Sequence, residues 1–75
     1  MSKQESTTNN GIPYRAYPSD VVNDDGSITW FIEYVQAPGA GWGFRGQFTE
    51  RDGQFFYAGQ TFESAYGALR YRSTH

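Results

Sequence analysis

The chain has 75 residues, a formal net charge of −2, no cysteine and a single histidine, His75. A chain of this length forms one domain and buries only about 60% of the surface that its unfolded form exposes. The absence of cysteine excludes a thiolate metal site, and the negative net charge argues against phosphate-backbone binding as the main activity. With six Phe, six Tyr and two Trp, the core is predicted to consist mainly of aromatic rings.

The first elements in the chain are polar or irregular. Residues 1–11, "MSKQESTTNNG", have no hydrophobic period and are predicted to form a disordered tail before a single domain over residues 12–75. This segment also lacks the apolar core of a secretory signal, and no long apolar run follows, so a cytoplasmic location is expected. Residues 12–22 contain Pro13 and Pro18, which predict an irregular edge strand.

The clearest strand follows an Asp-Gly turn. Ile28, Trp30, Ile32 and Tyr34 alternate on one face of this strand. Its other face carries Thr29, Phe31, Glu33 and Val35. The Asp25-Gly26 and Asp52-Gly53 pairs predict hairpins and therefore an antiparallel meander.

The next strand, "WGFRGQFT", also alternates. Its pattern places Trp42, Phe44 and Phe48 on the face that packs against a helix, with Arg45 and Gln47 on the opposite face. We therefore predict that Trp42 and Phe44 are buried together with Phe62 and Leu69. These four residues form the expected core.

Phe55 and Phe56 are adjacent in the last predicted strand, so their side chains point to opposite faces of the sheet. A two-residue Asp52-Gly53 loop places Phe55 and Tyr57 on the face of Phe48. A three-residue loop that includes Arg51 places Phe56 there instead. The three-residue loop is favoured, because the small Ala58 would then lie under the helix.

The C-terminal segment changes to a helical period. Phe62, Ala65, Tyr66 and Leu69 are spaced as one helical stripe, and Thr61 or Ser64 is suited to cap the helix start. The predicted fold is therefore α+β: a three- to four-stranded antiparallel β-meander packed on one C-terminal α-helix.

The stretch "GWGFRG", residues 41–46, matches the spacing of the dinucleotide-binding glycine motif. It lies within a strand pattern and opens no helix, so nucleotide binding is not expected. The longer stretch "GWGFRGQF" resembles the RNP1 strand of RNA-recognition motifs and the glycine-aromatic strand of cold-shock proteins. That resemblance, which extends over "TWF" before it and "FFY" after it, implies rings that stack on unpaired bases.

The sequence "GQTFESAYGAL" near the end of the meander resembles the strand-to-helix junction of arm-type integrase N-terminal domains and plant AP2 domains. Gly59, Phe62, Ala65 and Ala68 carry this likeness. It implies a sheet with one face covered by the helix and the other face free to bind. The same build is common among small bacterial proteins.

These patterns favour a binding module over an enzyme. The only histidine lies at the end of the chain, and Glu33 is the one acid on a central strand, so no acid–base pair is evident. We expect no cofactor and no metal. The uncovered sheet face is predicted to bind a protein partner or a second copy of the chain. The alternative is binding of single-stranded nucleic acid by the same face. The candidate binding residues are Phe31, Glu33, Arg45, Phe55 and Tyr57.

Overall fold

The computed structural model describes residues 3–75, which form six strands followed by one helix. The elements are β1 (Glu5–Asn9), β2 (Ile12–Val22), β3 (Ile28–Tyr34), β4 (Gly43–Arg51), β5 (Gln54–Tyr57), β6 (Gln60–Phe62) and α1 (Ala65–Thr74). All six strands belong to one antiparallel sheet in the order β1-β2-β3-β4-β5-β6. The α+β class and the meander with a C-terminal helix are confirmed. The expected number of strands is wrong, since six form rather than three or four.

Strand β1 lies in the segment that was expected to be a disordered tail. It pairs with β2 from Glu5, opposite Ala16, to Asn9, opposite Ile12. Polar contacts with α1 hold it. Asn9 Nδ2 donates to the Ser73 carbonyl oxygen at 2.7 Å, and Arg70 Nη1 donates to the Thr8 carbonyl oxygen at 2.8 Å. The prediction of disorder is therefore wrong for residues 5–9. For residues 1 and 2 the prediction lies outside the described residues.

Strand β2 is an inner strand, because β1 covers the edge that it was expected to leave free. Its two prolines are accommodated at the ends of regular pairing. Pro13 lies one pair from the β1–β2 turn, and Pro18 lies where the register with β3 shifts before Val22. A proline at a bulge removes no ladder hydrogen bond.

Three of the hairpins close through two-residue turns. Asp52 and Gly53 have φ values of 53° and 78°, and Arg51 pairs directly with Gln54. Positive φ at both central residues is the type I′ pattern, whose twist matches that of the flanking strands. The turns at residues 10–11 and 58–59 share these φ values closely. The predicted turn at Asp25-Gly26 also forms, with the Gly26 N–H donating to the Asn23 carbonyl oxygen at 2.9 Å.

A bulge in β4 changes the sheet face to which the side chains of its first residues point. Ile32 of β3 pairs with Gly46, but the next residue of β3, Glu33, pairs with Phe44, so Arg45 is the extra residue. Gly46 has a φ of 136°, which only glycine adopts readily. Phe44 therefore points away from the helix and is 66% exposed, whereas the unbroken alternation predicted that it would be buried.

The helix begins after Ser64, one of the two predicted cap residues. Ser64 is the N-cap residue, and its Oγ accepts a hydrogen bond from the Gly67 N–H at 3.0 Å. The buried side of α1 consists of Ala65, Ala68, Leu69 and Ser73, while Tyr66 is 45% exposed. The helix contacts β1 at one edge of the sheet and β5 and β6 at the other, so the curved sheet and the helix enclose the core.

Eight side chains form the buried core: Tyr14, Ala16, Trp30, Ile32, Phe48, Ala65, Ala68 and Leu69. Trp30 and Phe48 stack at its centre, with ring centroids 5.5 Å apart. Of the predicted core residues, Leu69 is buried and Phe62 packs against this cluster. Trp42, at 41% exposed, and Phe44 do not belong to it. No helix within residues 3–75 has both the length and the hydropathy needed to span a membrane.

Candidate functional site

The sheet face opposite α1 carries a group of aromatic side chains around one ion pair. We call this surface the open face, and it is made of Arg15, Tyr17, Phe31, Glu33, Trp42, Phe44 and Phe56. The strand register brings five of these residues together, because directly paired residues point to the same side of a sheet, whereas Phe56 lies farther along the same face, opposite Thr49 of β4. Arg15 and Tyr17 of β2 pair with Glu33 and Phe31 of β3, and Phe44 of β4 pairs with Glu33.

Three of these rings are strongly exposed. Phe44 is 66% exposed, Trp42 is 41% exposed and Phe56 is 39% exposed. Trp42 lies over the Arg15 guanidinium, whose central carbon is 4.1 Å from the ring centroid, and this contact fixes one face of the indole. Phe31 and Tyr17 lie beside each other at 6.0 Å between centroids. The open face therefore presents partly fixed rings to the solvent.

The charged groups at the centre of the open face satisfy one another. Arg15 Nε donates to Glu33 Oε1 at 2.8 Å, and Arg15 Nη2 lies 2.6 Å from the same oxygen. Tyr17 Oη donates to Glu33 Oε2 at 3.0 Å. This hydrogen bond, with a smaller contribution from burial, raises the pKa of the Tyr17 phenol above its ordinary value. Both carboxylate oxygens of Glu33 accept hydrogen bonds, and the network is electrically neutral because the charge of Arg15 balances that of Glu33.

A groove of about 620 Å³ borders the open face at the far end of β2. It lies where the register between β2 and β3 shifts, between Pro18 and Val22. Val21 on its rim is 69% exposed. The groove is lined by Lys3, Gln4, Tyr17, Pro18, Ser19, Asp20, Val21 and Phe31.

The structure places only two of the five predicted binding residues on the open face, Phe31 and Glu33. Phe55 points to the helix side, where it packs edge-on against Trp30 at 5.8 Å and Phe48 at 6.1 Å. The reason is the two-residue turn at residues 52–53, which puts Phe55 on the face of Phe48. The favoured three-residue loop is wrong, and Phe56 is the ring that reaches the open face.

Tyr57 and Arg45 also lie on the helix side. Tyr57 packs against Tyr71 of α1 at 6.0 Å between centroids. The Arg45 guanidinium lies 4.8 Å from the ring centroid of Tyr34, and its backbone carbonyl oxygen accepts a hydrogen bond from Arg72 Nε at 2.9 Å. The bulge in β4 directs Arg45 to this side. Its Nε is buried and has no hydrogen-bond partner among the described residues.

Sequence reasoning missed five residues of the open face: Arg15, Tyr17, Trp42, Phe44 and Phe56. The position of Phe56 on the open face could have been predicted from the sequence, since an Asp-Gly pair favours the two-residue turn that exposes it. Arg15 and Tyr17 alternate with Tyr14 and Ala16, a period-two signal that the two prolines obscured. The placement of Trp42 and Phe44 on the open face depends on the bulge. The glycines at 43 and 46 were the only local sign of that bulge.

The remaining titratable groups of the described residues form no compact chemical site. No group of three or more His, Asp or Glu side chains within residues 3–75 is placed to hold a metal ion. Asp25, in the β2–β3 turn, accepts hydrogen bonds from the Ser27 hydroxyl and N–H and pairs with Arg51. The Ser27 hydrogen bonds, with Arg51 adding to them, lower the pKa of the Asp25 carboxyl. This arrangement stabilises a turn.

Comparison of this chain with family models, with curated proteins and with solved structures gave no match. The resemblances to RNP1 and cold-shock strands and to integrase and AP2 domains therefore stay predictions.

Proposed function

We propose that this protein is a non-catalytic interaction module that binds another protein molecule through its open face. The observation that carries the proposal is the exposure of Phe44, Trp42 and Phe56 on one side of a single sheet. Large rings held on a rigid element contribute binding energy with little loss of side-chain freedom. Several such rings exposed on one face of a small domain mark an interaction surface.

The charge of the open face favours a protein partner over nucleic acid. Binding of a phosphate backbone requires cations that are free to replace counterions. Arg15 is paired with Glu33, and Arg45, the other cation among the predicted and observed residues of this face, lies on the helix side. The open face therefore combines apolar rings with a neutral polar centre, which is the composition of a protein interface.

The geometry of Glu33 supports binding rather than catalysis. A general base needs an oxygen free to accept a proton from a substrate. Both Glu33 oxygens accept hydrogen bonds from neighbouring side chains, one from Arg15 and one from Tyr17. In the proposed function this network is a fixed polar centre that orients the partner.

Site-specific photo-crosslinking tests the proposal. A photoreactive phenylalanine analogue is placed at position 44 in the protein expressed in cells, and adducts are identified by mass spectrometry. Position 66 is the matched control, because Tyr66 is an aromatic residue of similar exposure, 45%, on the helix. We expect protein adducts from position 44 and few or none from position 66. Nucleic-acid adducts at 44, no adducts at 44, or equal protein adducts at both positions would contradict the proposal.

A further inference from the structure

We infer that the partner of the open face is a second copy of this chain, so that the protein forms a symmetric dimer in which Phe44 of each copy occupies the groove of the other. The inference rests on the proposed function and adds the identity of the partner. It follows from three properties of the open face: the pairing of a projecting ring with a groove, its charge and its size.

The open face carries both halves of a complementary contact. Phe44, the most exposed aromatic side chain among the exposed large hydrophobics, projects from β4 on one side of Glu33. The groove, whose lining includes Tyr17, Phe31 and Val21, lies on the other side, at the end of β2. In a two-fold symmetric interface residue i contacts j and j contacts i. Face-to-face packing about a two-fold axis midway between Phe44 and the groove allows each Phe44 to lie over the opposite groove.

Charge permits this contact despite the net charge of −2 on each copy. Most exposed acids lie outside the contact, and the groove itself is lined by one acid, Asp20, and one cation, Lys3. Asp24 and Asp52 are exposed in turns, and Glu63 is exposed just before α1. On the open face the one carboxylate, Glu33, is neutralised by Arg15 within the same chain. Two open faces can approach without opposing like charges, and each can offer its polar centre to the other.

The size of the open face places the dimer among weak, reversible associations. Strand β3 has seven residues, which gives about 23 Å along the strand, and β2 to β5 span about 19 Å across the sheet. The flat area is therefore about 440 Å² before the projecting side chains are added, below the roughly 800 Å² that each partner buries in a standard interface. We expect a reversible dimer with a dissociation constant of about 10 µM to 1 mM.

Sedimentation velocity of the full chain from about 10 µM to 1 mM tests the dimer. We expect a concentration-dependent rise in sedimentation coefficient that Phe44→Ala weakens by at least about tenfold in dissociation constant. Tyr66→Ala removes an exposed ring outside the open face, at 45% exposure against 66% for Phe44, and should leave the dissociation constant unchanged. A monomer throughout this range, or a dimer that Phe44→Ala leaves intact, would overturn the inference.

A charge-swap pair tests the proposed contact directly. Val21→Glu and Phe44→Lys each alter one half of it at a strongly exposed position, so both variants are expected to fold. Each variant alone should dimerise poorly. Their mixture should associate, because one contact is then native and the other joins opposite charges. No rescue on mixing would contradict the contact. If the chain is monomeric while position 44 crosslinks to a different protein, the dimer is refuted and the proposed function stands.

Discussion

Because of the bulge in β4, we expect alanine substitution of two phenylalanines in the same strand to have very different effects on stability. Phe48 is 2% exposed and lies between Trp30 and Phe55, whereas Phe44, four residues earlier, is 66% exposed. Phe48→Ala should cost about 3–5 kcal/mol of unfolding free energy, since it leaves a cavity beneath the Trp30 ring. Phe44→Ala should cost no more than about 1 kcal/mol, because only a third of that ring is covered.

A domain of this size has a total stability of roughly 4–11 kcal/mol. Phe48→Ala is therefore expected to lower the melting temperature by at least about 12 °C, and Phe44→Ala by only a few degrees. Urea denaturation followed by far-UV circular dichroism measures both free energies. If Phe48→Ala does not fold, Phe48→Leu should still fold with a loss of about 1–1.5 kcal/mol. Equal costs at positions 44 and 48 would show that the strand alternates without a bulge.

Three further outcomes are expected. Deleting residues 1–9 should lower stability by at least about 2 kcal/mol in urea denaturation, because it removes β1 and its hydrogen bonds to α1; an unchanged stability would show that β1 is not a fixed part of the sheet. Gly46→Ala should cost about 1–3 kcal/mol in backbone strain, while Gly43→Ala, where φ is not positive and a Cβ meets only ordinary contacts, should be nearly neutral in the same assay. Asp25 has a pKa below that of the unfolded chain, so its stabilisation is present above pH 3.8 and is lost as the pH falls through the folded pKa; Asp25→Asn should flatten the acid limb of a stability–pH curve, and an unchanged slope would refute this role.

Much of the sheet was predictable because its signals are local. The alternation in β3 placed Trp30 and Ile32 on one face of the strand, which is the buried face, and the Asp-Gly pairs identified two turns. Ser64 was recognisable as a helix cap. Each of these features depends on residues that are adjacent in the chain. Sequence patterns are informative at that range.

The features that escaped prediction depend on distant partners. Strand β1 has no apolar period. It is held instead by hydrogen bonds of Asn9 and Thr8 with α1, more than sixty residues away in sequence. An Asn-Gly pair at residues 10–11 was the available sign of this hairpin. The composition of the open face depends on the bulge at Arg45 and Gly46, and a single extra residue moves Phe44 from one face of the sheet to the other.

The neighbour-to-neighbour strand order has a consequence for the order of folding. Each hairpin closes a short loop, so β1 to β6 can pair at little entropic cost and without waiting for distant segments. The docking of α1 on β1 instead closes a loop of more than sixty residues, and its loop-closure entropy is the largest in the fold. We expect this contact between α1 and β1 to form after the folding transition state. Changes at Asn9 or Ser73 would then speed unfolding and leave the folding rate unaltered. The contact between α1 and β1 would therefore determine the lifetime of the folded state.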